Sequence, residues 1–267
     1  SENADYFIND AFSVSHRSHM STTGLSNYLP SFSGRYLDKE ILMINKALNI
    51  GNGKRLGIIG GSKISTKLKV LENLTEKLDV LFVGGGMANT FLLAKGYKIG
   101  KSLCEKSMLK TAINILDTAK NKNCELIFPE DALIANDMEK GTSFSEVMID
   151  NVPNDALILD IGSKTIENIN VFLSSVSTVV WCGPLGLFEL NPFQTGTVSV
   201  AKEISKLTKD GKLISVAGGG DTVAALSQSN YNRDFTYIST AGGAFLELLA
   251  GESLPGIEVL KIDSEEK

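Results

Sequence analysis

Val216-Ala217-Gly218-Gly219-Gly220-Asp221-Thr222 follows an apolar run from Leu213 and leads into Val223-Ala224-Ala225-Leu226, a pattern of strand, tight turn and helix start. Successive glycines let the backbone approach a ligand with no Cβ in the way, and the N–H groups that open a helix carry partial positive charge, so Gly218, Gly219 and Gly220 suit a phosphate cradle. A carboxylate beside phosphates is repulsive unless a divalent cation lies between them. Mg²⁺ prefers oxygen ligands, which makes Asp221 a candidate metal ligand. A plain strand-to-helix turn capped by an aspartate accounts for the same residues.

The device recurs. Gly60-Gly61-Ser62-Lys63-Ile64-Ser65-Thr66-Lys67 places two lysines four apart. In the first turns of a helix both would point the same way, and two ammonium groups beside a positive helix end repel unless an anion lies between them. The alternative is a solvated surface pair. Neither this stretch nor Gly84-Gly85-Gly86-Met87-Ala88 has the spacing of a Walker A loop or of GxGxxG. His16, Arg17 and His19 form a small basic cluster suited to a phosphorylated or carboxylated ligand, although a solvated polar loop or a weak metal pair fits the same residues. From Trp181 to Glu189 an apolar, glycine-containing loop closes on an acid. Such a surface suits a flat purine, and the Glu189 carboxylate suits ribose hydroxyls. Trp181 itself is expected in the core. Ser239-Thr240-Ala241-Gly242-Gly243-Ala244 repeats the glycine turn, and its N–H groups could hold a phosphoryl group in flight.

Positioning these residues requires strands. Apolar runs at Arg55 to Ile59, Asp79 to Val83, Glu125 to Phe128, Ala156 to Leu159, Thr178 to Cys182, Lys212 to Val216 and Thr236 to Ile238 alternate with helical patterns. That order predicts an α/β fold: a doubly wound, mainly parallel sheet with helices on both faces, binding ligands outside the carboxyl ends of its strands, where the glycines fall. Asp5 to Phe12 is a further strand-like run. Helical spacing from Leu37 to Leu48, after a loop at Ser31 to Gly34 and before a stop at Gly51-Asn52-Gly53, predicts a helix connecting a small N-terminal piece to the remainder.

The chain has 267 residues, 43% hydrophobic and 21% charged, with net charge −5. It lacks a dense basic run, which argues against nucleic-acid or membrane-surface partners. Cys104, Cys124 and Cys182 are widely spaced and read as reduced thiols of a cytoplasmic protein.

Taken together, Asn9-Asp10-Ala11-Phe12 with His16-Arg17-Ser18-His19, Gly60 through Lys67, Gly84 through Ala88, Trp181 through Glu189, Gly218 through Thr222 and Ser239 through Ala244 resemble phosphoglycerate kinase, in order, from about Asp5 to about Leu260. The resemblance implies a Rossmann-like nucleotide-binding domain at 51–267, a connector helix at 37–50, and the last segment of a 3-phosphoglycerate-binding domain at 1–36. It implies reversible phosphoryl transfer between 1,3-bisphosphoglycerate and ADP or ATP with Mg²⁺. Asp221 would meet the metal, with Gly218, Gly219, Gly220 and Thr222 around the phosphates. Glu189 would hold the ribose, and Pro184, Leu187 and Leu159 would contact the adenine. Lys63 and Lys67 would bind the transferring and nucleotide phosphates, Gly242 and Gly243 would receive the phosphoryl group, and Arg17, flanked by His16 and His19, would bind 3-phosphoglycerate.

The sequence departs from that family in three respects. Much of the family's N-terminal domain has no counterpart, so a truncated chain that binds nucleotide without efficient turnover is expected, and the full-length protein is expected to be a monomer. Cys182 stands where the family usually has asparagine, and Ala241 replaces a glycine. A non-catalytic nucleotide-binding module is the alternative, while the missing GxGxxG disfavours a nicotinamide-dependent dehydrogenase.

Overall fold

The computed structural model describes residues 2–49, 53–139 and 141–261. The expected helix stop at Gly51-Asn52 lies outside them. In chain order the strands are β1 (Phe7–Asn9), β2 (Ser31–Ser33), β3 (Arg55–Ile59), β4 (Val80–Val83), β5 (Glu125–Ile127), β6 (Asp131–Ala135), β7 (Phe144–Met148), β8 (Leu157–Ile161), β9 (Thr178–Cys182), β10 (Ile214–Gly218) and β11 (Tyr237–Ser239). The helices are α1 (Arg35–Asn49), α2 (Leu68–Lys77), α3 (Gly85–Ala94), α4 (Leu109–Asn121), α5 (Ser163–Ser175), α6 (Thr195–Lys209), α7 (Gly220–Ser229), α8 (Gly243–Leu249) and α9 (Pro255–Glu258).

The main sheet has the order β11-β10-β9-β3-β4-β5 and is parallel throughout. Its strands are apolar on both sides because each face has its own core. Ile59, Leu81, Val83, Val180 and Val216 pack with Leu71 and Leu74 of α2, Met87 and Phe91 of α3, Ile115 of α4 and Phe245 of α8. The alternate residues Leu56, Ile58, Val80, Phe82, Val179 and Trp181 pack with Leu173 of α5, Ile204 of α6 and Leu226 of α7. This period-two division makes the sheet doubly wound. Trp181 is fully buried, and its indole N–H donates to the Gly183 carbonyl.

Two sequence expectations are corrected. The strand expected at Ala156 to Leu159 does not join the parallel sheet: β8 pairs antiparallel with β6, and β7 flanks the other side of β6. The expected loop at Ser31 to Gly34 contains β2, which pairs parallel with β1.

Helix α1 buries Leu37, Ile44, Ala47 and Leu48 but leaves Leu42, one of the residues in the expected apolar stripe, 61% exposed. Its start is capped from a distance, because Asp10 Oδ1 accepts the N–H groups of Tyr36 (2.7 Å) and Leu37 (2.9 Å). Asn9 Nδ2 donates to the Gly256 carbonyl at 2.9 Å, tying the first strand to α9. Tyr6, just before that strand, and Ile8 within it are exposed. No helix among the described residues is long and apolar enough to cross a membrane.

Candidate functional site

Every glycine turn singled out from the sequence lies at the carboxyl edge of the parallel sheet: Gly60-Gly61 after β3, Gly84 to Gly86 after β4, Gly183 after β9, Gly218 to Gly220 from β10 into α7, and Gly242-Gly243 between β11 and α8. The first of these turns pack backbone to backbone. Gly60 N–H donates to Cys182 O, Gly61 N–H to Pro184 O, and Gly85 N–H to Leu185 O. A Cβ on Gly60 would lie 1.9 Å from the Pro184 carbonyl oxygen, so no side chain fits there. These N–H groups hold the edge together and are not offered to a ligand.

Lys67 is the last residue before α2 and Lys63 lies further back in the turn, so the expectation that both occupy the first turns of a helix is corrected. The helix starts one residue later, after Lys67 has turned its ammonium inward to donate to the carbonyls of Gly60 (2.6 Å) and Cys182 (3.2 Å). Lys67 thereby ties together the ends of β3 and β9. Lys63 is exposed on the turn, which Glu105 braces by accepting from Ser65 N–H and Oγ.

Beside these turns lies a cleft of about 260 Å³. Leu159, the loop residues Pro184, Leu187 and Glu189, and Asp221, from three segments of the chain, all line it, together with Gly61, Gly85 and Gly86. Pro184, Leu185 and Leu159 are buried or nearly so, whereas Glu189 and Asp221 are exposed, so an apolar slot carries one acid from the loop after β9 and another from the first turn of α7. Gly219 has φ 94° and turns the chain into α7, where Thr222 Oγ1 accepts the Gly183 N–H.

The lining also contains Asn89, Leu92, Leu103, Met138, Ile158, Asp160 and Ile161, which the sequence reading did not select. Most belong to α3 and to the antiparallel sheet, whose contact with the cleft is tertiary. Only Asp160 left a trace, as a lone acid in an apolar strand.

The basic cluster sits at the other end of the edge. A Cβ on Gly243 would lie 3.2 Å from His16 Nε2, so His16 rests against the start of α8. Arg17 Nε donates to His16 Nε2 at 3.3 Å, and Arg17 and His19 are exposed. Gly242 has φ 57°, a conformation that favours glycine, while Ala241 is not among the positive-φ residues, so the alanine there requires no strained backbone. Cys182 Sγ lies beneath the cradle, 3.6 Å from where a Gly219 Cβ would be.

A parallel sheet covered on both faces, with its turns and cleft at the carboxyl edge, defines a Rossmann-like α/β protein. The sequence profile of the phosphoglycerate kinase family matches residues 1–252. The chain is 51% identical over 261 residues to phosphoglycerate kinase of Rhodopseudomonas palustris, covering 98% of this chain and 66% of that protein. Its fold superposes on the structure of phosphoglycerate kinase from Coxiella burnetii with a TM-score of 0.92 at 40% identity, over 96% of this chain and 65% of that one. The Pyrococcus horikoshii enzyme gives a TM-score of 0.80 at 31% identity, over 97% and 64%. The chain belongs to the phosphoglycerate kinase family, and it spans slightly less than two thirds of the length of these relatives.

Proposed function

We propose that the chain serves reversible phosphoryl transfer between 1,3-bisphosphoglycerate and MgADP, giving 3-phosphoglycerate and MgATP, with the cleft receiving the nucleotide. The observation that carries this reading is the convergence of Leu159, Pro184, Leu187, Glu189 and Asp221 on one cleft beside the glycine turns. Leu159, Pro184 and Leu187 offer apolar walls for a flat base, and Glu189 offers a carboxylate to the ribose hydroxyls. Gly218, Gly219, Gly220 and Thr222 cradle the phosphates at the start of α7. Lys67, at the ends of β3 and β9, holds nucleotide phosphate, and Lys63 reaches the transferring phosphoryl group from the same turn. Gly242 and Gly243 receive that group, and His16, Arg17 and His19 hold the phosphorylated acid.

Mg²⁺ fits the residues present as an ion that arrives with the nucleotide. Asp221 offers one hard oxygen, and among the described residues no group of three or more His, Cys, Asp or Glu could cage a metal, which is how Mg²⁺ is held when phosphates and waters complete its shell. When bound, the ion supplies charge neutralisation at the phosphates. The rest follows from positioning: lysines and backbone N–H groups face the dispersed negative charge of an in-line transfer, which needs neither a covalent enzyme intermediate nor a general base.

Residues 51–267 serve as the nucleotide domain, 37–50 as the connector and 1–36 as the acid-ligand segment. The separation of the β1–β2 pair from the main sheet supports that division. The protein acts on small molecules in the cytoplasm, and the full-length protein is a monomer.

Calorimetric titration with MgADP and with NADH, beside a coupled assay for ATP formed from 1,3-bisphosphoglycerate, tests the reading. MgADP should bind and NADH should not; absence of MgADP binding overturns it. Nucleotide binding with no transfer favours a non-catalytic nucleotide-binding module.

A further inference from the structure

Asp160 lies where β8, the start of α6 and the loop after β9 meet. It directly follows Leu159 in β8, and only 2% of it is exposed. Its Oδ2 accepts the Gly196 N–H of α6 at 2.7 Å, and its Oδ1 accepts the Ile161 N–H at 2.9 Å. Above it runs the loop that carries Pro184, Leu187 and Glu189. Gly186 of that loop approaches so closely that a Cβ on it would lie 2.2 Å from Asp160 Oδ1. The loop is also stitched to the same floor by Leu187 N–H on Leu159 O (2.7 Å) and by Leu185 N–H on Thr197 Oγ1 (3.0 Å).

Among the described residues no ion pair reaches Asp160. Burial pushes its carboxyl up to about 8, against the opposing pull of the Gly196 and Ile161 N–H groups. Burying an acid without a cation is costly, and packing alone would be served as well by an apolar side chain. What an apolar side chain cannot do is hold two backbone N–H groups from different elements while filling the space beneath a glycine.

We propose that Asp160 is a positioning residue of the nucleotide site: fixed between the end of β8 and the start of α6, its carboxyl group is the surface on which Gly186 rests, and it sets the gap between Leu159 and the Pro184 to Glu189 loop. The inference rests on the nucleotide reading of the cleft. Removing the carboxyl group leaves two N–H groups unsatisfied and a void under the loop, while the cradle at Gly218 to Asp221, carried by β10 and α7, keeps its own supports. The loss should therefore fall on the base and ribose end of the ligand.

Titration of the 267-residue chain with MgADP and with magnesium pyrophosphate tests this. Asp160→Ala should weaken MgADP binding by about tenfold or more, with pyrophosphate affinity essentially unchanged. Asp160→Asn keeps the shape and one acceptor and should retain most of the affinity.

Unaltered MgADP binding by folded Asp160→Ala, or equal losses for both ligands, would overturn the inference and leave the nucleotide reading intact. If Asp160→Ala does not fold, Asp160→Ser, which keeps one shorter acceptor, decides in its place: a selective MgADP loss supports the proposal and its absence overturns it. Pyrophosphate binding to the unmodified chain too weak to measure would overturn the separation of the two ends. Failure of the unmodified chain to bind MgADP overturns the nucleotide reading and this inference with it.

Discussion

The hydroxyl of Thr222, in the first turn of α7, accepts a 2.6 Å hydrogen bond from the backbone N–H of Gly183 just beyond β9. Two adjacent turns of the sheet edge are thus locked by one buried side chain. Thr222→Val keeps the shape but leaves the Gly183 N–H unpaired, which should cost about 1–3 kcal/mol. Calorimetry should show a lowered Tm with weaker MgADP binding, and Thr222→Ser should recover most of both. A Thr222→Val protein as stable as the original would show that the bond carries no weight.

Asp221 differs because it is exposed in the cleft and holds no backbone group in place. Asp221→Asn should weaken nucleotide binding in magnesium far more than in EDTA, with Tm nearly unchanged. Equal losses in the two buffers would assign Asp221 to capping α7.

The cysteines should separate by reactivity. Cys104 is partly exposed, Cys182 is 1% exposed with its thiol pushed up by burial, and Cys124 is buried with its thiol pushed up to about 11. Alkylation followed by mass spectrometry should modify Cys104 first, and MgADP should slow Cys182 selectively because the ligand covers the cradle above it. Nucleotide binding without protection of Cys182 would place the phosphates elsewhere.

The start of α5 supplies a pH test. Asp131 accepts the N–H groups of Lys164 (2.9 Å) and Thr165 (2.8 Å) and the Thr165 hydroxyl (2.5 Å). Burial alone would raise its carboxyl, but these bonds hold it below the usual carboxylate range. A depressed folded value means that the stabilisation is present above the unfolded carboxyl value near 4 and is lost as pH falls through the folded value. Asp131→Asn should therefore lower stability by about 1 kcal/mol at neutral pH, and the difference should shrink in acid. A gap that stays constant from pH 7 to pH 2 would contradict this.

Asp160 acts with the opposite sign. Its folded value near 8 lies above the unfolded one, so its contribution is complete below about pH 4 and is lost as pH rises through 8. Denaturant titrations should show that Asp160→Asn flattens the decline in stability over that window; identical slopes would exclude it.

The features that were legible in the sequence are those written into neighbouring residues. The limits of β3 and β9 were read directly, because an apolar run bounded by glycine carries both its length and its stop. The glycine turns were legible because a backbone that bends into positive φ or meets another backbone needs glycine wherever it occurs. Asp221 and Glu189 are singled out by the turns beside them, whereas Pro184, Leu187 and Leu159 are named only through the family resemblance.

Other features depended on which distant segment arrived as partner. An apolar run such as Leu157 to Ile161 suits a parallel or an antiparallel neighbour equally well, and only the packing of β6 and β7 beside it decided the matter. Ser31 to Ser33, short and polar, became a strand because β1 offered it a ladder. Lys67 points at Gly60 and Cys182 because β3 and β9 end side by side, leaving two carbonyls within its reach. The sequence by itself determined the edge where the glycine turns gather. The tertiary structure decided how far apart its walls stand, because that distance is set by contacts such as Asp160 with Gly196, 36 residues apart in the chain, whose free energy exists only once both segments are folded.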